Sequence, residues 1–410
     1  MKAVISLSGG LDSTCLLMHL LANGYDEIRA FSFNYGQKHD IELKKVQKNI
    51  KFLQEKGFNV THQIIDVRDC FSDSASSLHR GGEAIPEGHY ADENMKSTVV
   101  ENRNIIFSSI IYGKALGWAN KTHDNVVITL GIHAGDHCFT ADTKIFTPKG
   151  YKTVGELKVG DGVYSFNGDT LKIEHTKLQD IIHKGTNNTI YEIVTTSGTI
   201  KLTSEHKVYV CELTNFDVTW GYEKELSHKL VKDLKVGDKL ITPYIPGNKH
   251  SEDGLVRFGE SVLTSITDIN VITYDEPVDV YDLSIEKNHN FFAGDNGNIL
   301  ISNSIYPDCR SESQNMAREL FAISNWGSAR VDYIAPFVNI DKGAVLKSGI
   351  DAMKKMNFSD VEIETVLYNT HTCYNPSEEG GISCGKCGSC QERLEAFASV
   401  GMKDPIPYQE

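Results

Sequence analysis

Two clusters in this 410-residue sequence are spaced for chemistry. The first is Ser8-Gly9-Gly10-Leu11-Asp12-Ser13-Thr14, directly after the apolar run Ala3-Val4-Ile5-Ser6-Leu7. Adjacent glycines let a backbone turn tightly and approach a ligand, Ser13 and Thr14 add hydroxyls, and the N–H groups of a helix start favour an anion. A lone Gly-Gly pair is only a turn with a Ser/Thr helix cap, but seven ordered residues between a strand and a helix point to pyrophosphate. The Gly-Lys-Ser/Thr ending of a Walker loop is absent. The second cluster is Cys384-Gly385-Lys386-Cys387-Gly388-Ser389-Cys390, with Cys373 upstream. Four soft thiolates suit a closed tetrahedral zinc site, and an iron–sulfur cluster accepts the same set. Such a zinc has no open coordination position, so its role is structural: a staple for a C-terminal segment of limited core.

The elements that must position these groups follow from periodicity. Residues 3–7 read as a buried strand, Thr14–Leu21 as a helix, Ile28–Phe33 as a strand and Ile41–Gln54 as a helix. Val60–Val67 and Val126–Gly131 read as further strands, with the long helix Ile105–Ala119 between them. This alternation predicts an open parallel sheet covered by helices on both faces. At residue 138 the rhythm breaks into β-rich runs such as Thr189–Thr195, Thr199–Val210 and Val278–Ile285, punctuated by glycine turns. Helices return after residue 304, over Glu312–Asn325, Ala344–Lys355 and Gln391–Ala398. The reading is therefore an α/β parallel-sheet domain split by an all-β insert, with a small C-terminal zinc-binding segment. Its boundaries are 1–137, 138–303 and 304–410.

Composition narrows the class. A net charge of −14 argues against a protein that grips nucleic-acid backbones, so no direct nucleic-acid partner is expected. No apolar run approaches the ~20 residues that span a bilayer, and no signal-peptide core follows the N-terminal lysine, so a cytoplasmic protein without a membrane partner is expected. Nine cysteines, an odd number, four of them crowded together, indicate metal rather than a disulfide framework.

The glycine loop resembles the PP-loop of the N-type ATP pyrophosphatases, an adenine nucleotide alpha hydrolase-like fold that cleaves ATP between its α and β phosphates. Across 1–137 and 304–410 the sequence further resembles the QueC family of 7-cyano-7-deazaguanine synthases. The matches are Phe33-Asn34-Tyr35-Gly36-Gln37-Lys38-His39, Arg103-Asn104-Ile105-Ile106-Phe107, Tyr306-Pro307-Asp308-Cys309-Arg310, Cys373-Tyr374 with the cysteine cluster, and Lys403-Asp404-Pro405-Ile406. Glu101 departs from the family, which usually carries Pro there. The resemblance implies conversion of 7-carboxy-7-deazaguanine, ammonia and ATP into a nitrile, with Mg²⁺ on the nucleotide and one structural Zn²⁺. It implies nucleotide contacts from Leu7, Ser8, Gly9, Gly10, Leu11, Asp12, Ser13 and Thr14, with Asp12 near Mg²⁺. Substrate contacts would come from Tyr35, Gln37, Arg103, Asn104, Asp308 and Arg310, the arginines gripping phosphate or carboxylate. A homodimer is a further expectation. The competing readings are another PP-loop ligase, tRNA-modifying or amidating, and a zinc-ribbon binding module with an inactive core.

The insert carries chemistry at its ends: Cys138 opens it, Asn303 closes it and Ser304 follows. Removing 138–303 brings Ala134-Gly135-Asp136-His137 onto Ser304-Ile305-Tyr306-Pro307 and restores the synthase sequence. The insert resembles a minimal Hint-fold intein, with Thr203-Ser204-Glu205-His206 as its Thr-x-x-His block and Val280-Tyr281-Asp282-Leu283 through His289-Asn290-Phe291 as its C-terminal block. Its 166 residues leave no room for a homing endonuclease. The resemblance implies protein splicing, with Cys138 and Ser304 as nucleophiles, Thr203 orienting the scissile peptide and His206 protonating the departing nitrogen. Asp282 would steer Ser304, His289 would polarise the second peptide and Asn303 would cyclise. Many inteins carry His before the terminal Asn; Ser302 stands there, and slow but competent splicing is expected. A Hint domain that cleaves without ligating is the rival.

Overall fold

The computed structural model describes residues 1–38, 41–87, 97–132, 138–168, 170–204, 206–217, 221–243, 257–258, 260–288, 290–295, 299–302, 311–338, 340–377 and 381–409. Contacts divide the chain into two units, one of Met1–Ala134 with Tyr306–Glu410 and one of Gly135–Ile305.

The first unit is built on the parallel strands β1 (Lys2–Ser6), β2 (Glu27–Asn34), β3 (Val60–Asp66), β4 (Val126–Leu130) and β5 (Val331–Ile334). Their order in the sheet is β5-β4-β1-β2-β3. Helices α1 (Leu11–Ala22), α2 (Ile41–Glu55), α5 (Lys342–Lys355), α6 (Asp360–Tyr368) and α7 (Gly388–Ser399) share one core with Ala3 and Ile5 of β1. On the opposite face, α3 (Arg103–Thr122) and α4 (Ser311–Ser324) pack against Val4, Val126 and Ile128. Side chains alternate across a strand, so the three consecutive apolar residues of β1 are all needed: Val4 feeds one core, Ala3 and Ile5 the other. The chain runs from β1 outward to β2 in one direction, then returns to place β4 on the other side of β1. The crevice at the carboxyl ends of β1 and β4 is thus the switch point where open α/β sheets bind ligands.

Two elements of this unit escape a periodicity reading. β5 has four residues, and α6 has nine, although its Ser359–Glu362 capping box is legible in the sequence. α1 begins at Leu11 rather than Thr14, so Asp12, Ser13 and Thr14 form its first turn.

The second unit is all-β among its described residues, apart from short 3₁₀ turns. Its strands are longer than the sequence suggests. Lys172–Thr195 and Ser261–Ile285 pair antiparallel along most of their length, with register shifts such as that between Thr273 and Val278. The glycine turn signal Lys184-Gly185 falls inside the first of these strands. A bulge uses the same residues as a turn, and local sequence cannot separate them. Phe139, Leu202, Val208, Leu283, Phe291 and Ile301 lie in its core, which gathers both ends of the unit.

Candidate active sites

The glycine loop leaves β1 at the switch point. Gly9 takes φ +95°, where a side chain is strained, and a Cβ there would lie 2.5 Å from the Glu42 carbonyl oxygen and 2.8 Å from Val46 Cγ2. His371 N–H donates to the Gly9 carbonyl at 2.9 Å. Ser8 Oγ lies 3.0 Å from Ser13 Oγ and accepts from Gly10 N–H at 3.2 Å, which folds the loop onto the start of α1. Past the end of β4, a Cβ on Gly131 would lie 2.6 Å from Ser13 Cα, so β4 also closes on this loop. Leu7 and Leu11 are buried in the core, so only their backbone can face a ligand. Ser13 and Thr14 are buried as well.

Asp12 is engaged from α5: Lys342 Nζ lies 3.4 Å from its carboxylate and 2.8 Å from Glu392. Burial pulls the Lys342 pKa down, yet the two carboxylates outweigh it and hold the ammonium above the ordinary lysine range. Neither Lys342 nor Glu392 stands out in the sequence, because each meets Asp12 only through tertiary packing.

Beyond the loop, Tyr35 lies in an aromatic cluster, its ring 5.8 Å from Phe71 and 5.9 Å from Phe107. The Arg103 guanidinium, at the first residue of α3, is 5.8 Å from the same ring. Glu42, in the first turn of α2, belongs to this cluster and was not singled out by sequence. Desolvation pushes its carboxyl up to about 7, opposed by Arg103. Gln37 is buried and engaged within its own loop. Its side chain accepts from Tyr35 N–H at 3.0 Å and donates to the Phe33 carbonyl at 3.3 Å, which folds the loop that carries Tyr35. Asn104 is buried in the first turn of α3. Before it, Asn102 takes φ +54° and Glu101 accepts from Ser74 Oγ at 2.6 Å, which anchors the loop that lacks the usual proline. Asp308 and Arg310 lie outside the described residues.

Cys373, Cys384, Cys387 and Cys390 converge, their sulfurs within 4.8 Å of one another and all four buried. Cys384 and Cys390 Sγ are 3.9 Å apart, close to the separation of about 3.8 Å that tetrahedral Zn–S bonds require. Backbone N–H groups of Cys384 and Asn375 point at Cys373 Sγ at 3.2 and 3.3 Å, and those of Lys386 and Cys387 at Cys384 Sγ at 3.4 and 3.3 Å. Donors aimed at sulfur stabilise thiolate, so the cluster fits a metal ion.

In the second unit, the block from Thr203 to Val208 meets both ends of the insert, Cys138 through Thr203 and His206 and Ile301 through Val208. Cys138 is fully buried, and its N–H donates to Thr203 Oγ1 at 3.3 Å. That N–H belongs to the peptide joining His137 to Cys138. Thr203 Oγ1 and N, and His206 Nδ1, lie 3.2, 3.0 and 3.1 Å from the Cys138 carbonyl. Burial lowers the His206 pKa to about 3 against that hydrogen bond, so the ring is neutral and donates from Nδ1. Tyr281 pairs with Phe139 in antiparallel register, which sets the buried Asp282 level with Cys138. Ile301 pairs with Val208, bringing the strand that ends at Ser302 beside the one following His206. His289, Asn303 and Ser304 lie outside the described residues.

Comparison with known proteins bears on both units. The sequence model for the queuosine biosynthesis protein QueC matches residues 2–149 and 296–401, and that for the intein splicing domain matches residues 145–303. A 7-cyano-7-deazaguanine synthase of Marinomonas sp. is 25% identical over 409 residues, covering 100% of this chain and 98% of the relative. The synthase of the same name from Methanoregula boonei is 41% identical over 144 residues, 35% of this chain; the match spans 61% of that relative's length. Among solved structures, the bacterial intein-like domain from Clostridium thermocellum aligns with 41% of this chain and 99% of its own, at 23% identity and a TM-score of 0.31. No described helix is long and apolar enough to cross a membrane.

Proposed function

Because the chain belongs to the QueC family of queuosine biosynthesis proteins and carries an intein splicing domain within it, we propose that it is a self-splicing precursor of a 7-cyano-7-deazaguanine synthase. The observation that carries the enzyme half is the glycine loop, braced from α2, β4 and His371 at the carboxyl ends of β1 and β4. A substrate carboxylate attacks the α phosphate of ATP and pyrophosphate leaves. The loop amides and the α1 N-terminus face the charge developing on the phosphates. Ammonia then adds to the acyl carbon, AMP departs and a proton is released. A second adenylation, now on the amide oxygen, lets the amide lose AMP and its remaining N–H protons to become the nitrile. Arg103, beside Tyr35, would pair with an anionic group, and Glu42, whose carboxyl is pushed up to about 7, would accept a proton. Mg²⁺ bound with the nucleotide would neutralise phosphate charge, with Asp12 as the carboxylate beside the loop, shared with Lys342. The four cysteines would hold a structural Zn²⁺.

For splicing, the Cys138 thiol attacks the His137 carbonyl, and the proton passes to the departing Cys138 nitrogen, which Thr203 holds. Ser304 transfers the thioester to its own oxygen and returns the thiol proton. Asn303 cyclises onto its own carbonyl and frees the insert, and an O-to-N shift joins His137 to Ser304. The product has 244 residues. A cytoplasmic enzyme using 7-carboxy-7-deazaguanine and ammonia is the reading throughout.

A homodimer belongs to the same proposal. Met316, Leu320 and Ile323 are exposed at helical spacing along α4 with Trp326 beyond, an apolar stripe on the order of a few hundred Å². Two such straight stripes can pair about a two-fold axis. The decisive test is an intact mass of the expressed product followed by assay of nitrile formation from the deazaguanine acid, ATP and ammonia. An unspliced mass, or ATP cleavage without nitrile, sinks the corresponding half.

A further inference from the structure

The segment Thr370–Cys373 runs from the cysteine cluster to the glycine loop. At one end Cys373 is a member of the cysteine cluster, its sulfur held by the N–H groups of Cys384 and Asn375. At the other, Thr370 is fully buried, its hydroxyl 2.7 Å from Arg393 Nη1 and donating to the Leu367 carbonyl at 2.6 Å. Between these anchors the backbone lies against the glycine loop. His371 N–H bonds the Gly9 carbonyl, and a Cβ on Gly10 would lie 3.6 Å from the His371 carbonyl oxygen and 3.8 Å from Thr372 Cγ2. Thr372 itself is 6% exposed, and its Oγ1 is buried with no hydrogen-bond partner. The Thr372 methyl thus faces Gly10, while its hydroxyl is turned into the interior without a hydrogen-bond partner. Gly9 is therefore clamped from α2 on one side and from this segment on the other.

We propose that residues 370–373 are a strut by which the four-cysteine site sets the affinity of the glycine loop for nucleotide, with Thr372 as a positioning residue. The strut rests on the reading of the loop as a nucleotide site, and it changes the role of the metal. A metal that only stapled the C-terminal segment would raise stability and leave nucleotide affinity alone. A metal that fixes Cys373 also restrains the His371 N–H, two residues away, that bonds the Gly9 carbonyl. Linkage then requires the converse, that nucleotide strengthens metal retention by the same factor.

The test uses the purified chain, with its mass measured first and zinc content quantified. Binding of the magnesium complex of α,β-methylene ATP, which resists cleavage between the α and β phosphates, is titrated before zinc removal by chelator under reducing conditions, after it, and after zinc is restored. The expected result is a Kd at least about tenfold weaker without zinc, recovered on restoration, and slower zinc transfer to a chromogenic chelator when the nucleotide analogue is present. Thr372→Gly keeps all four thiolates but slackens the strut. It should retain one zinc per chain while weakening the analogue roughly fivefold, and Thr372→Ser should restore wild-type affinity. This variant decides the matter if zinc-free protein unfolds. No binding by zinc-loaded wild type overturns the nucleotide reading and the strut together. Binding that is equal with and without zinc, or unchanged in Thr372→Gly, overturns the strut alone.

Discussion

At the residue scale, single groups set what each site can do. Gly9→Ala would put a methyl against the Glu42 carbonyl at a φ that disfavours any side chain, so nucleotide affinity should fall at least about tenfold with secondary structure retained, as titration and circular dichroism would show. His206 carries a pH signature. Its folded pKa, about 3, lies below the ordinary 6.5, so between these values the unfolded chain binds a proton that the folded insert refuses. Stability from this residue is present above pH 6.5 and is lost as pH falls, by ~1.4 kcal/mol per unit. In chain blocked by Cys138→Ala and Asn303→Ala, added His206→Gln should flatten the fall in urea midpoint between pH 7 and 5 by about 2 kcal/mol. Identical slopes would mean the ring stays solvated. Ser302, buried at the end of its strand, is a poor proton donor at neutral pH, so Ser302→His should speed release of the C-terminal segment, followed by gel and mass. Thr203 and His206 were legible because their spacing is local. Lys342 was not, because its meeting with Asp12 is made by two helices packing together.

Elements carry these residues by a few strong ties. The C-terminal segment is fixed by Arg393 of α7, fully buried, whose Nε and Nη2 donate to Asp404 at 2.6 and 3.0 Å; Tyr408 OH also donates to that carboxylate. Removing one partner leaves the other charge buried and unpaired, so Arg393→Ala should cost about 3–5 kcal/mol of stability, measured by denaturant midpoint. A loss under 1 kcal/mol would show that water replaces the guanidinium. Close helix packing adds a steric tie: a Cβ on Gly349 of α5 would lie 2.5 Å from Cys15 Sγ of α1. Long amphipathic elements such as α2 and α3 were legible in outline, with ends shifted by no more than three residues. The strands of the insert were not, since bulges carry turn residues within continuous pairing.

For the whole molecule, the position of the insert matters more than its size. It interrupts the crossover from β4 through α4 to β5, and β4 ends on the glycine loop through Gly131. Chain blocked by Cys138→Ala and Asn303→Ala should therefore lack nitrile-forming activity that the spliced product has; full turnover by the blocked chain would show that the crossover need not be closed. By itself the sequence determined which chemistries are available. Glycines and hydroxyls after a strand, four clustered thiols, and a thiol and an asparagine bounding a β-rich stretch are local patterns, and local patterns survive in one dimension. Tertiary structure alone decided what those groups meet. It set Lys342 against Asp12, lowered the basicity of His206 and laid Thr372 beside Gly10. The reason is physical: burial and electrostatic partnership depend on distances in space, and residues 12 and 342, or 10 and 372, are brought together only by the packed sheet and its helices.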